Sequence, residues 1–189
     1  MSIKHANKTK MKKVNIIIAC LFYSFTAMCQ HKQEIMQLSM PKDAIKLNEV
    51  EFKKLSHSGF DDDSSDSFHD HIYKKNNLLI YYLYLGVSGP KFKRSLEYSQ
   101  DMIVALLTGQ TELKTNVVTV VDTAKIIVVN KIRFAITQYH QNHTWYITFT
   151  SDYDKNLQFI NGFIEYKQAD KAEAQQYLHD FLGSMHFNN

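Results

Sequence analysis

Residues 78–85 read LLIYYLYL, and this stretch decides the fold. Successive side chains of a β-strand point to opposite faces, so the stretch divides into two sets of four. Both sets are apolar or aromatic, which predicts a strand inside a sheet that is covered on both faces. One set is Leu79, Tyr81, Leu83 and Leu85, and the other is Leu78, Ile80, Tyr82 and Tyr84.

Three helices are predicted around this strand. Asn48 followed by Glu51 has the spacing of a capping box and predicts a short helix over residues 48–55. Residues 92–108 place apolar side chains at spacings of three and four and stop at Gly109, which predicts an amphipathic helix. Asp170 and Glu173 resemble a second capping box at the start of a closing helix. Its apolar stripe is Ala174, Tyr177, Leu178, Phe181, Leu182 and Met185.

The remaining apolar segments predict an antiparallel sheet. Residues 34–40 alternate before Pro41, and a meander follows the middle helix, with a tight turn at Asn130-Lys131. Asn161-Gly162 is either a turn or a bulge. The meander segments are residues 117–121, 125–129, 132–137, 144–150 and 157–166. Strands punctuated by isolated helices predict the α+β class, with amphipathic helices packed on the faces of an antiparallel sheet.

Residues 1–29 have the pattern of a signal peptide. Lys12 and Lys13 precede an uncharged, mostly apolar run of fifteen residues, 14–28, which is short of the roughly 20 residues needed to cross a bilayer. Cleavage after Cys29 would start the exported chain at Gln30. We therefore expect a secreted or periplasmic protein with no stable membrane span in its mature chain. A lipid-anchored or N-terminally anchored envelope protein is the alternative.

The net charge and the cysteine content of residues 30–189 differ from those of the full chain. The full chain has 22 basic and 19 acidic side chains, but five Lys and no acid lie in residues 1–29. Residues 30–189 therefore carry 17 basic and 19 acidic groups, a formal net charge of −2, which argues against nucleic-acid binding. Both cysteines precede residue 30, so disulfides cannot stabilise this part. We expect one domain over residues 30–189.

The order of elements resembles the PsbP-like superfamily, named for the extrinsic photosystem protein. The resemblance rests on the opening Leu38-Ser39-Met40-Pro41-Lys42, the helix at residues 95–107, the meander at 130–139 and 146–149, and the closing LHDFLGSMHF at 178–187. It implies an α/β/α sandwich that is secreted or lumenal and acts in binding, assembly or accessory roles, usually without catalysis. It carries over no functional residue.

An acidic, histidine-containing loop is the candidate metal site. The stretch SHSGFDDDSSDSFHD occupies residues 56–70, and His71 follows it. Asp61, Asp63, His69 and His71 form a mixed carboxylate and imidazole ligand set that could bind a divalent cation. The EF-hand pattern fails, because Asp66 stands where Gly is needed and Ile72 where Glu is needed. A solvated acidic loop without metal is the alternative.

No catalytic motif is present. His140 and His143 bracket a turn, and Gly86-Val87-Ser88-Gly89 is a turn that lacks the nucleophile-elbow pattern. Lys91, Lys93 and Arg94 place cations at the start of the middle helix, against its dipole, which slightly favours an anionic contact there; a solvated helix end is the alternative. The predicted strands are rich in tyrosine, which suits a binding platform as well as a covered sheet face. These tyrosines are Tyr81, Tyr82, Tyr84, Tyr139, Tyr146, Tyr153 and Tyr166.

We therefore expect a non-enzymatic binding or accessory protein without a cofactor. Its partner would be a protein of the envelope, bound by the exposed part of the tyrosine-rich sheet and adjacent loops, and an immunity- or assembly-type factor is one concrete form. The alternative is an envelope protein that binds a divalent metal or small ligand through loop 57–71.

Overall fold

The computed structural model describes residues 36–37, 39–40, 43–56, 71–109 and 119–187. Its helices are α1 (Glu49–Leu55), α2 (Leu96–Leu107) and α3 (Lys171–Gly183). Its strands are β1 (Met36–Gln37), β2 (Ile45–Lys46), β3 (Ile72–Lys75), β4 (Leu78–Gly86), β5 (Thr119–Val129), β6 (Ile132–Gln141), β7 (Thr144–Ser151), β8 (Gln158–Lys167) and β9 (His186–Phe187).

One antiparallel sheet organises the described residues. Seven strands run in the order β2-β3-β4-β8-β7-β6-β5, and β1 pairs separately with β9. The strand β4 lies inside the sheet, between β3 and β8, as its two apolar faces predict. The predicted α+β class, with helices on the faces of an antiparallel sheet, is confirmed.

The helix α3 covers one face of the sheet, which we call the α3 face. Phe181 and Leu182 of α3 are almost fully buried against the face of β4 that carries Ile80 and Tyr82. The rings of Tyr82 and Phe181 lie 5.3 Å apart between centroids. Removing this much apolar surface from water is the main stabilising contribution of the helix.

The helices α1 and α2 lie over the opposite face, which we call the α2 face. Phe52 of α1 packs on Tyr81 and Phe163, with centroid distances of 6.0 and 6.3 Å. The helix α2 lies over β5 and β6, and the Gln100 amide donates to the carbonyl oxygens of Lys125 and Ile136 at 2.9 and 3.1 Å. The two helices therefore cover different parts of this face and leave the strands between them less covered.

The three helix starts differ in how well they were predicted. The capping box at the start of α1 is confirmed: Asn48 accepts from the Glu51 amide, and Glu51 accepts from the Asn48 amide, each at 3.0 Å. The middle helix begins at Leu96 and not at residue 92, because Pro90–Phe92 form a 3-10 turn and Ser95 caps the helix. The Asp170 side chain makes no capping bond to α3. It accepts from the side-chain amide of Asn77 instead.

The predicted strands are merged or extended in the structure. Residues 119–121 and 125–129 of two predicted segments belong to one strand, β5, which contains an irregularity between Val121 and Thr123. Residues 117 and 118 lie outside the described residues. Asn161 and Gly162 form no turn; they lie within β8, opposite Leu83 and Tyr82 of β4. The turn at Asn130-Lys131 is confirmed, and both residues have positive φ, as such hairpin turns require.

Two regions were only partly predicted. The segment 34–40 contains a strand of two residues, Met36–Gln37, within the part the structure describes. The hairpin partner of β4, strand β3, was missed; its four residues IYKK bury only Ile72. No helix in the described ranges is long and apolar enough to span a membrane. Residues 1–29 lie outside the described residues, so the signal peptide remains a prediction.

Candidate functional site

A groove opens on the α2 face beside helix α2. Its floor is formed by the largely buried side chains of Leu85 of β4, Phe159 of β8 and Tyr139 of β6. Its wall is the side of α2 that carries Met102, Ile103 and Leu106, all half-buried. We call this the α2 groove, and its open cavity has a volume of about 90 Å³.

Polar groups at the floor of the α2 groove are already hydrogen bonded. Asn161 donates to the hydroxyl of Thr150 at 2.8 Å, and Thr148 donates to the carbonyl of Thr137 at 3.3 Å. The buried Ser151 hydroxyl accepts from the Ile160 amide at 2.9 Å and donates to the Asp152 carbonyl at 2.8 Å. These side chains stabilise the floor, and Ser151 is fixed by backbone partners rather than by a base. The chemistry of the groove is that of apolar contact.

Cations stacked on aromatic rings lie in segment 91–94, whose Arg94 lines the groove. The guanidinium of Arg94 lies 5.0 Å from the ring centroid of Tyr98, and the ammonium of Lys93 lies 5.3 Å from that of Tyr153. The ammonium of Lys91 lies 5.0 Å from the ring of Phe92. Arg94, Tyr98 and Tyr153 also line the groove itself, so the charged rim and the apolar floor form one surface.

Tyr153 joins the rim to the floor. Its ring packs on Phe159 at 4.9 Å between centroids, and its hydroxyl accepts a long hydrogen bond, 3.5 Å, from the backbone amide of Arg94. Burial raises the pKa of Tyr153, and the bond from Arg94 opposes that rise. The phenol therefore stays neutral near pH 7 and presents an apolar ring to the groove.

The tyrosine platform predicted from the sequence is largely buried. Five of its seven side chains are buried and form core contacts, so for these five the alternative of a covered sheet face holds. They are Tyr81, Tyr82, Tyr139, Tyr146 and Tyr166. Tyr84 and Tyr153 are half-buried, and of these two Tyr153 lines the groove. Tyrosine is favoured in strands, and most of these strand positions lie on faces that the helices cover.

The predicted metal ligands fall mostly outside the described residues. Asp61, Asp63 and His69 lie in that part of the chain. His71 is described, and its ring stacks on Tyr82 at 4.6 Å and meets Tyr84 edge-on at 5.2 Å. Within the described ranges, no three His, Cys, Asp or Glu side chains are grouped as a metal site requires. The loop site stays a prediction, and calorimetric titration with calcium, zinc and copper tests it.

Histidines at the end of β6 do not form a metal group either. His140 packs on Trp145 at 4.6 Å between ring centroids, and His143 is exposed in the following turn. The segment 86–89 is a bend that leads into the 3-10 turn, as the sequence predicts. Ser88 in this bend is exposed. The absence of catalysis is not tested by these placements and stays a prediction.

A second, more polar cleft lies at the end of the sheet near α1. Its volume is about 720 Å³, and its lining includes Lys74, His143, Glu165 and Lys167. Glu165 is 4% exposed, and its carboxylate accepts from the Ser56 hydroxyl at 2.8 Å. Burial, reinforced by the charge of Glu165, raises the pKa of Tyr146. The carboxylate is thus held at the floor of the cleft by the protein's own groups.

Sequence reasoning missed the α2 groove, although one signal for it exists. On β7, the side chains facing α3 are large, as with Ile147 and Phe149, whereas Thr148 and Thr150 on the α2 face are small. Small side chains on one face of an interior strand leave space under a helix that packs to one side. The basic residues 91, 93 and 94 were identified from the sequence, but not their position at the mouth of a cavity.

Comparisons with known proteins bear on the fold. No protein-family model and no curated protein matches the sequence. Among solved structures, the chain is similar to the solution structure of cyanobacterial PsbP (CyanoP) from Synechocystis sp. PCC 6803, with a TM-score of 0.52 and 6% sequence identity. The match covers 86% of this chain and 98% of the other. The resemblance seen in the sequence is thereby confirmed at the level of architecture, and the chain has a PsbP-like fold.

Proposed function

We propose that the protein is a non-enzymatic binding or accessory module of the cell envelope, and that the α2 groove binds its protein partner. An immunity- or assembly-type factor is the form of accessory role that we favour. The binding and assembly roles implied by the PsbP-like resemblance support this class of function. The export signal predicted over residues 1–29 supports the compartment.

The α2 groove is the observation that carries the proposal. Met102, Ile103 and Leu106 are half-buried on a helix whose other contacts already fix it to β5 and β6. Apolar side chains left partly in water beside a preformed cavity gain free energy when a partner covers them. Protein interfaces concentrate binding energy at such pockets, where one anchor side chain is enclosed by an aromatic and polar rim.

Affinity capture from envelope extract tests the proposal. The bait is the protein as recovered from its own cells, as wild type, with Met102→Glu, or with Gln176→Glu. Met102→Glu places a charge against the apolar floor, which disfavours binding there because the carboxylate would be desolvated. Gln176→Glu adds the same charge on exposed α3 and serves as the matched control.

We expect a protein partner that wild type and Gln176→Glu retain equally and that Met102→Glu retains at least about tenfold less, the effect of losing about 1.4 kcal/mol of binding free energy. Circular dichroism of the three baits checks that each is folded. A bait that recovers no specific partner, or a partner retained equally by Met102→Glu, would overturn the proposal.

A further inference from the structure

We infer that the α2 groove recognises an acidic protein segment that inserts one aliphatic side chain into the cavity and places neighbouring carboxylates against Lys91, Lys93 and Arg94. This inference rests on the proposed function and adds the chemistry of the partner. Three independent observations support it: the size of the cavity, the charges at its mouth, and the exposed aromatic surface beside it.

The cavity limits the size of the anchor. Its volume of about 90 Å³ is smaller than the roughly 150 Å³ of an engineered apolar cavity that binds benzene. It suits one aliphatic side chain such as leucine. Its floor residues Leu85 and Phe159 and the half-buried side chains of its α2 wall offer dispersion contacts to an aliphatic group. The polar groups of the floor are already hydrogen bonded within the protein.

Three cations, Lys91, Lys93 and Arg94, lie in the segment that leads to the mouth of the cavity. Among the described residues, no carboxylate forms an ion pair with Lys91, Lys93 or Arg94. Each cation is instead held over an aromatic ring, which orients it while leaving its hydrogen-bond donors available.

Glu97 of α2 and the two acids that flank Tyr153 in the chain are engaged elsewhere in the protein. Arg133 forms ion pairs with Glu97 and with Asp152, the latter at 3.6 Å. Asp154 accepts from the backbone amides of Asn156 and Gln158 at 2.8 and 2.7 Å. These acids are therefore engaged within the protein, and the positive potential at the start of α2, which the helix dipole reinforces, remains for a partner.

The surface beside the cavity favours a protein segment over a lone anion. Phe92 and Tyr98 are 47% and 45% exposed and extend the contact surface past the cavity. A small anion would meet the cations but leave the cavity and these rings uncovered. An extended segment would cover all three, with alternate side chains directed into the cavity and toward the rim.

Chemical-shift titration of the isotopically labelled full chain tests the inference with defined probes. The probes are the blocked peptides Asp-Asp-Leu-Asp-Asp, Asp-Asp-Ala-Asp-Asp and Lys-Lys-Leu-Lys-Lys, together with octanoate. We expect the acidic leucine peptide to shift backbone amides of residues 93–106 in a saturable way. The alanine peptide should bind at least about tenfold more weakly, and the lysine peptide should produce no saturable shift.

Charge reversal separates the cationic mouth from general electrostatics. The double variant Lys93→Glu/Arg94→Glu should abolish the shifts caused by the acidic leucine peptide. The control Lys46→Glu/Lys54→Glu, which alters exposed residues before and on α1, should preserve them. Raising the salt concentration should weaken binding by wild type, since the contacts are exposed ion pairs.

Three outcomes would overturn the inference: equal binding of the lysine peptide, unchanged binding after reversal at Lys93 and Arg94, or binding of octanoate but not of the acidic leucine peptide. The proposed function fails separately. An envelope partner lost with Met102→Glu but kept with the double variant contradicts only the acidic chemistry, whereas peptide binding without any envelope partner contradicts only the proposed function.

Discussion

At the scale of one residue, Gly162 shows how closely neighbouring strands of the sheet are packed. It lies within β8, between Tyr82 of β4 and Phe149 of β7. A Cβ atom at this position would come within 3.0 Å of the Tyr81 carbonyl oxygen, the Phe149 ring and the Tyr82 Cβ. Glycine is needed there because a side chain has no space, not because of its backbone angles.

Replacing Gly162 by alanine should therefore destabilise the protein by about 1–3 kcal/mol or more, the usual effect of overpacking a core. Urea denaturation of the wild type and the variant measures the change in the free energy of unfolding. Gly183→Ala is the control, since nothing lies within 4 Å of a Cβ at that helix end, and it should stay within about 0.5 kcal/mol of wild type. Equal denaturation midpoints for the two variants would contradict the packing.

At the scale of elements, the position of α2 depends on one buried polar side chain. Gln100 is the polar residue of α2 that faces the sheet, and its amide reaches the carbonyls of Lys125 on β5 and Ile136 on β6. These bonds hold the helix over the β5 edge of the sheet. The α2 groove exists because the helix lies there and not over the centre of the sheet.

Replacing Gln100 by leucine should lower the free energy of unfolding by about 1–3 kcal/mol, because two carbonyl groups lose a buried donor. Hydrogen exchange should show lower amide protection across α2 than in wild type, with α3 little changed. Gln176→Leu on exposed α3 is the control. A uniform loss of protection in both helices, or none in α2, would show that Gln100 does not position the helix.

Elements with strong local signals were predicted from the sequence, and those that depend on packing were not. The two apolar faces of β4 and the capping box of Asn48 identify a strand and a helix without their neighbours. Strand β3 was missed because only Ile72 of its four residues is buried, so its pattern is too short to recognise. The start of α2 was misplaced because Ser95, and not the first apolar residue, caps the helix.

The candidate site was predicted only in its parts. The basic residues of segment 91–94 were recognised as favouring an anionic contact. The groove that they border depends on small side chains such as Thr148, whose alternation with large ones on β7 was not used, and on where α2 packs, which no local sequence pattern indicates. The number of tyrosines suited a platform and a covered sheet face equally, and only the packing shows that Tyr82 and Tyr139 are buried.

At the scale of the whole molecule, buried tyrosines make stability sensitive to alkaline pH. Burial raises the pKa of Tyr166 to about 12, although the hydrogen bond from Gln138 opposes the rise. Burial also raises the pKa of Tyr82, Tyr139 and Tyr177. A phenol whose pKa is higher in the folded state favours the folded state fully below its unfolded pKa of about 10.

These tyrosines should therefore not change the free energy of unfolding up to about pH 9. They should lower it as the pH rises from about 10 to 12. Urea denaturation at a series of pH values measures this, and tyrosinate absorbance should rise together with unfolding. A titration in concentrated guanidinium chloride provides the unfolded reference. Tyrosines that all ionise near pH 10 while the protein stays folded would contradict the buried assignments.

Site-specific photo-crosslinking in cells tests most directly whether the α2 groove is the binding surface of the molecule. A photoreactive residue is introduced at Met102 in the groove and, as a control, at His179 on exposed α3 on the opposite face. The account predicts a discrete crosslinked product with one envelope protein from position 102 and none from position 179. The same product from position 179, or no product from position 102, would contradict it.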